Sequence, residues 1–582
     1  MLNGSQCGAP VSFGIYRALL TVIDTGHGWS AGVLQAVPEW CPVAGSVVLR
    51  AGSGIVDGND PSAGGGPAME LAVSVTVTVT VTGEDGTRCP VSGELAAALA
   101  PPVEQFTQML TWAAQEAGAL DHGDRETEIA QSGRELQRQL LEATFTIDAG
   151  CEERMPQVTS VAGIRHGTVE KGHDRGMVSI FGPVRATRLA YRNRREANLY
   201  PADARWMLPD DPYSLGMRAL VAYHLSEGGY GQAQEVIQAR TGVKIGPAQL
   251  AGIAAELAAW TGGFYEQRAA GADLSLPASD VIMFQADGKG IAMRPEYRKR
   301  EGETDAAHPG IKKMAEVIAV ADFTPAVREP EDIAAPPARR TAHPGPVARD
   351  KWVAASITET IDAMIGAAYD EGDRRDPARV RQRVFLVDGN KQQITAIGDH
   401  AGARGLKVPV LIDFIHVAGY LGKAAAALHP GDPQAAREWA DGQKLRVLHG
   451  RARAVAATLA SVAAKTRAKA STRHLDITDV DKAVTYLSNN HMHMKYDKAL
   501  AAGWPIATGV IEGACRFVIE DRFGITGARW SPDGAEVILK LRAVVINGDL
   551  DDYMNYYKNR YRNQIHLARY DPDSIPALGL TA

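Results

Sequence analysis

An α/β protein built around a mixed sheet is what this sequence predicts, and three stretches predict it. Between residues 280 and 416, apolar runs of strand length alternate with helical segments, as in β-α-β units. Two of those runs stop at an aspartate followed by glycine: Val281 to Asp287 (VIMFQAD) and Val384 to Asp388 (VFLVD). After His416 the pattern is helical for about ninety residues, and Val510 to Arg529 (VIEGACRFVIEDRFGITGAR) then reads as one amphipathic helix carrying Glu512. Its expected core-facing side holds Val510, Ala514, Phe517 and Val518.

The totals set the frame. At 582 residues the chain exceeds a single core, and its length suggests three or four domains. A formal net charge of −6 gives no global attraction to nucleic acid, so contact with DNA must come from local basic surfaces. Cys7, Cys41, Cys89, Cys151 and Cys515 are scattered, with no Cys-x-x-Cys pair. That argues against a structural zinc site or a disulfide scaffold and fits a reducing cytosol. No apolar run approaches the roughly 18 residues of a membrane span. The N-terminus lacks the basic and apolar regions of a signal peptide, so a cytoplasmic protein away from membranes is expected.

In chain order, residues 1–68 are rich in Gly, Ser, Ala and Pro without a sustained period. Disorder is expected there, or a reading frame that truly starts at Met69. Leu71 to Thr82 (LAVSVTVTVTVT) alternates like a half-buried strand. Residues 94–145 have helical spacing and short β-like runs occupy Val178 to Tyr191, giving an α+β region over 69–210. There Arg185, Arg188, Arg192, Arg194 and Arg195 surround Tyr191, as either a phosphate-contacting hairpin or a solvated face. Residues 211–275 hold three helical segments, and the Thr241-Gly242-Val243 turn gives the outline of a helix-turn-helix, a candidate DNA-binding region. The segment from Pro247 brings no Arg or Lys, so a plain helical bundle stays open beside it.

Over 276–416 the expected order is a strand into Asp287, a strand IAMRP, a helix over Gly310 to Val317 and a strand VIAVADF. A mobile Pro/Ala/Arg-rich loop over Thr324 to Arg349 and a helix over Ile357 to Ala368 follow. Then come the strand into Asp388, a helix over Gln392 to Ala403 and the strand VPVLID into Asp413. Residues 417–505 form a helical insertion before 506–582 return to the α/β unit. Within it Lys444, Arg446, Arg451, Arg453, Lys465, Arg467, Lys469 and Arg473 occur with no acid between Lys444 and Arg473. Solvated helix faces usually mix signs, so this run favours contact with a DNA backbone over a bland surface.

Three carboxylates from two strand ends and one helix are what a divalent-metal site for phosphoryl transfer needs. Mg²⁺ takes oxygen ligands and keeps waters, so one or two carboxylates per ion suffice. Two ions about 3.5–4 Å apart can activate the attacking oxygen and stabilise the leaving one. Asp287, Asp388 and Glu512 are therefore assigned as catalytic acids and as ligands of two Mg²⁺ or Mn²⁺ ions. An ordinary turn explains either Asp-Gly alone; the assignment rests on all three acids together. Asp413 competes with Asp388, but the strand reached by the first crossover should lie beside the first strand, with the next one further out. Asp388 is chosen on that ground. Asp413 and His416, three apart, read either as a helix cap with a packed neighbour or as supports of the catalytic acids. Arg516 reads as orienting Glu512, clamping a phosphate, or pairing with Glu512 or Glu520. Arg529 is a phosphate contact or a solvated residue, and Trp530 a platform for an unpaired base or a core ring.

The combination of FQADGKG, LVDGNKQQI, LIDFIHVAGYL, PIATGVIEGACR and GITGARWSPDGAEVILKLRA resembles the ISKra-type insertion-sequence transposases, within the Mutator-like group of DDE transposases. The resemblance runs from roughly Glu94 to the C-terminus, and NLYPADARWMLP is similar to that family's upstream domain. It implies a ribonuclease-H-like catalytic core (276–416 and 506–582) interrupted by an all-α insertion (417–505). The three acids of the family fall on Asp287, Asp388 and Glu512, and the group's acid-x-x-His element on Asp413 and His416. The implied activity is DNA transposition. Such an enzyme binds the terminal inverted repeats of its own element, cleaves there with two metal ions, and joins the freed 3′-hydroxyl to target double-stranded DNA. A dimer bridging two ends is the implied assembly. Ala507-Thr508-Gly509 stands where the family is expected to have Gly-Ser-Gly, and residues 1–68 have no counterpart. Two alternatives remain open: a metal nuclease acting on RNA–DNA hybrid or branched DNA, and a repressor-like DNA-binding protein with an inert core.

Overall fold

The computed structural model describes residues 22–24, 29–35, 44–54, 72–82, 88–90, 93–150, 152, 154–271, 280–297, 312–334, 343–469, 476–525 and 527–574. Apart from three strands, the stretch 1–68 lies outside the described residues, as does Arg473. The chain divides into two compact units: Met1–Met217 with Gln238–Val243 and Arg560–Ala582, and Arg218–Ile237 with Lys244–Asn559.

In the first unit, β1 (Val22–Asp24), β2 (Trp29–Gln35), β3 (Ala44–Gly54), β4 (Ala72–Thr82) and β5 (Arg88–Pro90) form an antiparallel sheet in chain order. The Val/Thr alternation is β4, paired with β3 along its whole length. Helices α1 (Gly93–Gln115) and α2 (His122–Gly150) follow, then a small ladder of β6 (Val158–Thr159) and β7 (Arg165–His166). A three-stranded antiparallel sheet of β8 (Thr168–Ser179), β9 (Gly182–Asn193) and β10 (Glu196–Leu199) leads into α3 (Pro201–Trp206). The hairpin arginines are largely held by acids: Arg185 by Asp174, Arg188 by Asp203 and Arg192 by Glu170.

Next along the chain come α4 (Leu215–Glu227), α5 (Tyr230–Thr241), α6 (Pro247–Ala259) and α7 (Thr261–Ala269). The sheet of the second unit has the order β13-β12-β11-β14-β15. Its strands are β11 (Val281–Ala292), β12 (Lys312–Phe323), β13 (Ala348–Ser356), β14 (Arg383–Val387) and β15 (Val410–Ile412). β11 pairs antiparallel with β12 and β12 with β13, whereas β11–β14 and β14–β15 are parallel. Parallel neighbours need a crossover. Helix α9 (Ile361–Arg375), beyond the short α8 (Pro330–Ala334), lies between β13 and β14, and α10 (Lys391–Ala403) between β14 and β15. An antiparallel meander continued by two parallel strands, with the first strand in the middle, is the ribonuclease-H-like arrangement. β14 is buried at every position, as a strand covered on both faces must be.

Three details differ from the sequence expectations. Of the helix expected over Gly310 to Val317, the described part from Lys312 on is instead the start of β12: Lys312, Lys313, Met314, Ala315 and Glu316 favour helix locally, but pairing along β11 overrides that preference. Asp287 does not end its strand, because β11 runs on through Gly288 to Ala292. The edge strand β13 was not expected; its charged start (ARDK) hides the apolar alternation that follows.

Among the described residues, five α-helices separate β15 from the segment carrying Glu512: α11 (Phe414–Leu428), α12 (Pro433–Leu448), α13 (Ala452–Ala468), α14 (Thr478–Asn490) and α15 (Tyr496–Ala501). They are not a detached module. One continuous core joins sheet residues such as Phe284 and Phe385, stacked at 4.7 Å, to Leu421, Val455, Leu487 and Tyr496 of these helices. Beneath the sheet, Asp322 of β12 is wholly buried and receives both Arg375 of α9 and Arg381, with Glu371 completing Arg375. Removing one member leaves buried charge uncompensated. Asp322→Ala is expected to lower unfolding free energy by about 3–5 kcal/mol, measured by urea denaturation.

Candidate active site

The last rung of the parallel ladder between β11 and β14 is Ala286–Val387. Asp287 and Asp388 each stand one residue beyond it, on neighbouring strands spaced about 4.8 Å apart. This is the point where the sheet changes from antiparallel to parallel, and ligands of open α/β sheets bind in such crevices at the carboxyl ends of strands. Asp287 accepts from the N–H of Gly288 at 2.8 Å, and Asp388 from that of Asn390 at 3.0 Å. The intervening Gly389 has φ 103°, a conformation that favours glycine, so this Asp-Gly is a true turn. The hydroxyl of Tyr486, on α14, donates to the carbonyl of Asp388 at 2.5 Å.

Glu512 arrives on α16 (Gly509–Ala514). The N–H of Ile511 donates to the side-chain oxygen of Gln285, buried in β11 two residues before Asp287, at 2.8 Å. The single helix expected from Val510 to Arg529 does not form. At Cys515 the helix widens into a π turn (Cys515–Glu520) and ends after Asp521–Phe523. That extra residue per turn breaks the 3.6 periodicity: Phe517, expected to face the core, is 54% exposed. Cys515 turns inward and its thiol donates to Asp287 at 3.5 Å. Burial and the neighbouring Asp287 push that thiol well above its ordinary range. π turns are frequent at functional sites.

Two further groups report on the field of the acids. Glu316 of β12 lies across from Gly288, its Oε1 in ordinary contact range, 3.6 Å, of the position a Cβ would take there. Burial pushes its carboxyl up, the Gln393 amide at 3.2 Å pulls it down, and the charges of Asp287 and Asp388 add to the rise. His416 is also raised, first by its hydrogen bond to Asp413 and further by the charges of Asp413, Asp388 and Asp287. Glu512 and His416 line one cleft of about 340 Å³ with Ile415, Gly419, Tyr420 and Lys423. Sequence reasoning missed Glu316 because it lay in the stretch misread as helix; its strand partner Gly288 is visible only in the register.

Asp413 is the N-cap of α11. Burial pushes its carboxyl up, but hydrogen bonds from His416 (3.0 Å), the Thr508 hydroxyl (2.7 Å) and the Ile415 N–H (2.9 Å) outweigh that, and the net shift is downward. Arg516 pairs with neither Glu512 nor Glu520; its loose partner is Asp521 at 3.8 Å. Arg529 is exposed and donates to the adjacent Ala528 carbonyl at 2.7 Å. Trp530 requires a correction. Its ring is 7% exposed, packed on Phe523 and under the Arg522 guanidinium, so no face is open to a base. In the basic run, Lys444 pairs with Asp441 and Arg467 with Asp481, acids lying just outside the stretch, and Arg446 bonds to Gln443. Arg451, Arg453, Lys465 and Lys469 are exposed, with no ion pair among the described residues.

Carboxylate oxygens are the donors hard divalent cations take. Among the described residues, no group of three or more His, Cys, Asp or Glu side chains is arranged to hold a metal ion. Carboxylates are donors of the type such a cation takes, while a preformed three-ligand cage is not present among the described residues. Among the described residues no helix is long and apolar enough to cross a membrane.

Fold and site together define an α/β protein with a ribonuclease-H-like core and a helical insertion, an architecture compatible with nucleases and transposases. No protein-family model matches the chain, and comparison with curated proteins gives no match. Among solved structures the chain is similar to the Drosophila P element transposase strand transfer complex. Identity is 10%, 63% of this chain and 86% of that chain are covered, and the TM-score is 0.21, too low to carry any argument.

The Asp413–His416 pair makes a pH prediction. A raised imidazole contributes stability that is complete below its ordinary value of 6.5 and lost as pH rises through the folded value. A lowered carboxyl contributes above 3.8, a contribution lost as pH falls through its folded value. NMR titration of His416 should therefore give a pKa above 6.5 in the parent and a lower one in Asp413→Asn. An unchanged value would remove Asp413 as the cause.

Proposed function

We propose that this chain is a DNA transposase of an insertion sequence, with Asp287, Asp388 and Glu512 as its catalytic acids. The observation that supports the reading is the placement of Asp287 and Asp388 together at the sheet's switch point. Asp287 and Asp388 stand side by side one residue past the ladder, both acting on Glu316 and His416, and Glu512 shares His416's cleft. Mg²⁺ can be held by one or two carboxylates with substrate phosphates completing its shell, so a site assembled only with DNA is consistent with the donor set. Two bound Mg²⁺ or Mn²⁺ ions would activate the attacking oxygen and stabilise the leaving one during strand cleavage and transfer. Asp287 and Asp388 would be ligands from the sheet, Glu512 the ligand from α16, and Arg451, Arg453, Lys465 and Lys469 contacts to the backbone of element-end and target duplexes. Two copies bridging two ends complete the reading.

The test is strand cleavage on a duplex carrying the element's own ends, with Mg²⁺ or Mn²⁺. Asp287→Asn and Glu512→Gln should each slow cleavage about 100- to 1,000-fold, the several kcal/mol of charge stabilisation that a metal site supplies. Full activity in both variants would sink the assignment. Equal cleavage of random duplex would favour a sequence-tolerant nuclease, and chelator-insensitive binding without cleavage an inert DNA-binding protein.

A further inference from the structure

His416, Gly419, Tyr420 and Lys423 fall three and four residues apart on α11 and so share one face of it. The other face, with Val417, Leu421, Ala424 and Ala425, is locked into the core, so the cleft face cannot roll. Tyr420 is stacked on Tyr486, centroids 4.2 Å apart and planes within 20°, and Tyr486 is tied in turn to the carbonyl of Asp388. One side of the Tyr420 ring is thus backed, and the residue also lines the cleft beside Glu512. Lys423 is exposed with no ion pair among the described residues. His416 engages Asp413 through Nδ1, leaving Nε2 without a hydrogen-bond partner among them. No atom lies within 4 Å of the position a Cβ would take on Gly419, so the cleft floor is open there.

An aromatic platform flanked by cationic groups is how proteins take single-stranded nucleic acid: bases stack on the ring while phosphates meet the cations. About 340 Å³ is near the lower end of the roughly 300–1,000 Å³ typical of small-molecule clefts, room for one nucleotide and not for a stacked duplex. We propose that this cleft takes one unpaired nucleotide of a DNA strand, its base on Tyr420 and its phosphate against Lys423 and His416. The inference rests on the reading that the chain acts on DNA and extends it to the form of DNA the site accepts. A strand end drawn out of its duplex would then be held beside Glu512. The rigid Tyr420–Tyr486 stack would link its base to the backbone of Asp388.

Fluorescence anisotropy in EDTA separates binding from cleavage. Four probes are compared: a blunt duplex, the same duplex with three unpaired 3′ nucleotides, that overhang made abasic, and a free deoxynucleoside monophosphate as competitor. The full-length chain should prefer the base-bearing overhang to the blunt and abasic forms. Tyr420→Ala should erase that preference, a loss of roughly 5- to 100-fold, whereas Tyr420→Phe keeps it. Lys423→Ala, at an exposed position that does not endanger folding, should weaken overhang binding and flatten its salt dependence by about 0.7 in logarithmic slope. Tyr420→Ala with an intact preference, or Lys423→Ala with an unchanged salt slope, overturns the inference while leaving the transposase reading in place. Competition by the mononucleotide as strong as by the overhang overturns it too, in favour of a free-nucleotide site. No binding of any DNA by the parent chain overturns the transposase reading itself, and this inference with it.

Discussion

Ile511 hands its backbone N–H to the side-chain oxygen of Gln285, 2.8 Å away in the dry interior of the sheet. The first N–H groups of a helix have no partner within the helix, and a buried one left unmade costs about 1–3 kcal/mol. Gln285 meets that need from within an otherwise apolar strand, where an amide would be out of place without such a partner. The bond joins the residue before Glu512 to the residue two before Asp287. It therefore sets the third acid against the first by backbone geometry, independent of how either carboxylate is solvated.

Crowding acids at one edge of a sheet opposes folding, and the surroundings show how the cost is contained. Asp287 and Asp388 each take a backbone N–H, from Gly288 and Asn390. Glu316 does not escape: partly buried and facing both aspartates, its carboxyl is pushed upward, and only the Gln393 amide counters. On the other side His416 is raised, first by its hydrogen bond to Asp413 and to a lesser extent by the charges of Asp388 and Asp287. A cation would relieve what remains of the repulsion, and the uneven balance of this edge marks it off from the Asp322–Arg375–Arg381 cluster, where every acid has its guanidinium. The latter is a structural knot.

Much of this was legible in the sequence, for reasons particular residues make plain. VFLVD announces a buried parallel strand because both faces of β14 are covered, and the choice of Asp388 over Asp413 as neighbour of Asp287 follows from crossover topology: β14 lies beside β11 and β15 outside it. What escaped was whatever tertiary contact decides against local preference. Lys312 to Glu316 reads as helix until a twelve-residue strand pairs with it, and with that misreading went Glu316. Phe517 reads as core until a π turn shifts the period by one residue. Trp530 reads as either a base platform or a core ring until Arg522 and Phe523 cover it. Acids just beyond the basic run pair with part of it, Asp441 from the preceding turn of the same helix and Asp481 from the following helix, which no count confined to that window reveals.

The helical insertion might be expected to dilute the site, since it places most of a hundred residues between β15 and Glu512. Its two ends are instead pinned together at the sheet. Phe414, the first residue of α11, donates its N–H to the carbonyl of Ile506 at 2.9 Å, and Thr508 donates to the cap residue Asp413. Tyr496 of α15, fully buried, donates to the carbonyl of Ile412 at 2.8 Å. The chain thus leaves and re-enters the sheet at nearly one point, so the loop-closure cost of the insertion is met by the core it shares with the sheet rather than by the acids. The insertion also returns something to the site: α11 supplies the cleft face beside Glu512, and α14 supplies the tyrosine that grips Asp388. An insertion that shares the sheet's core and contributes walls to its crevice cannot be removed as a spare part.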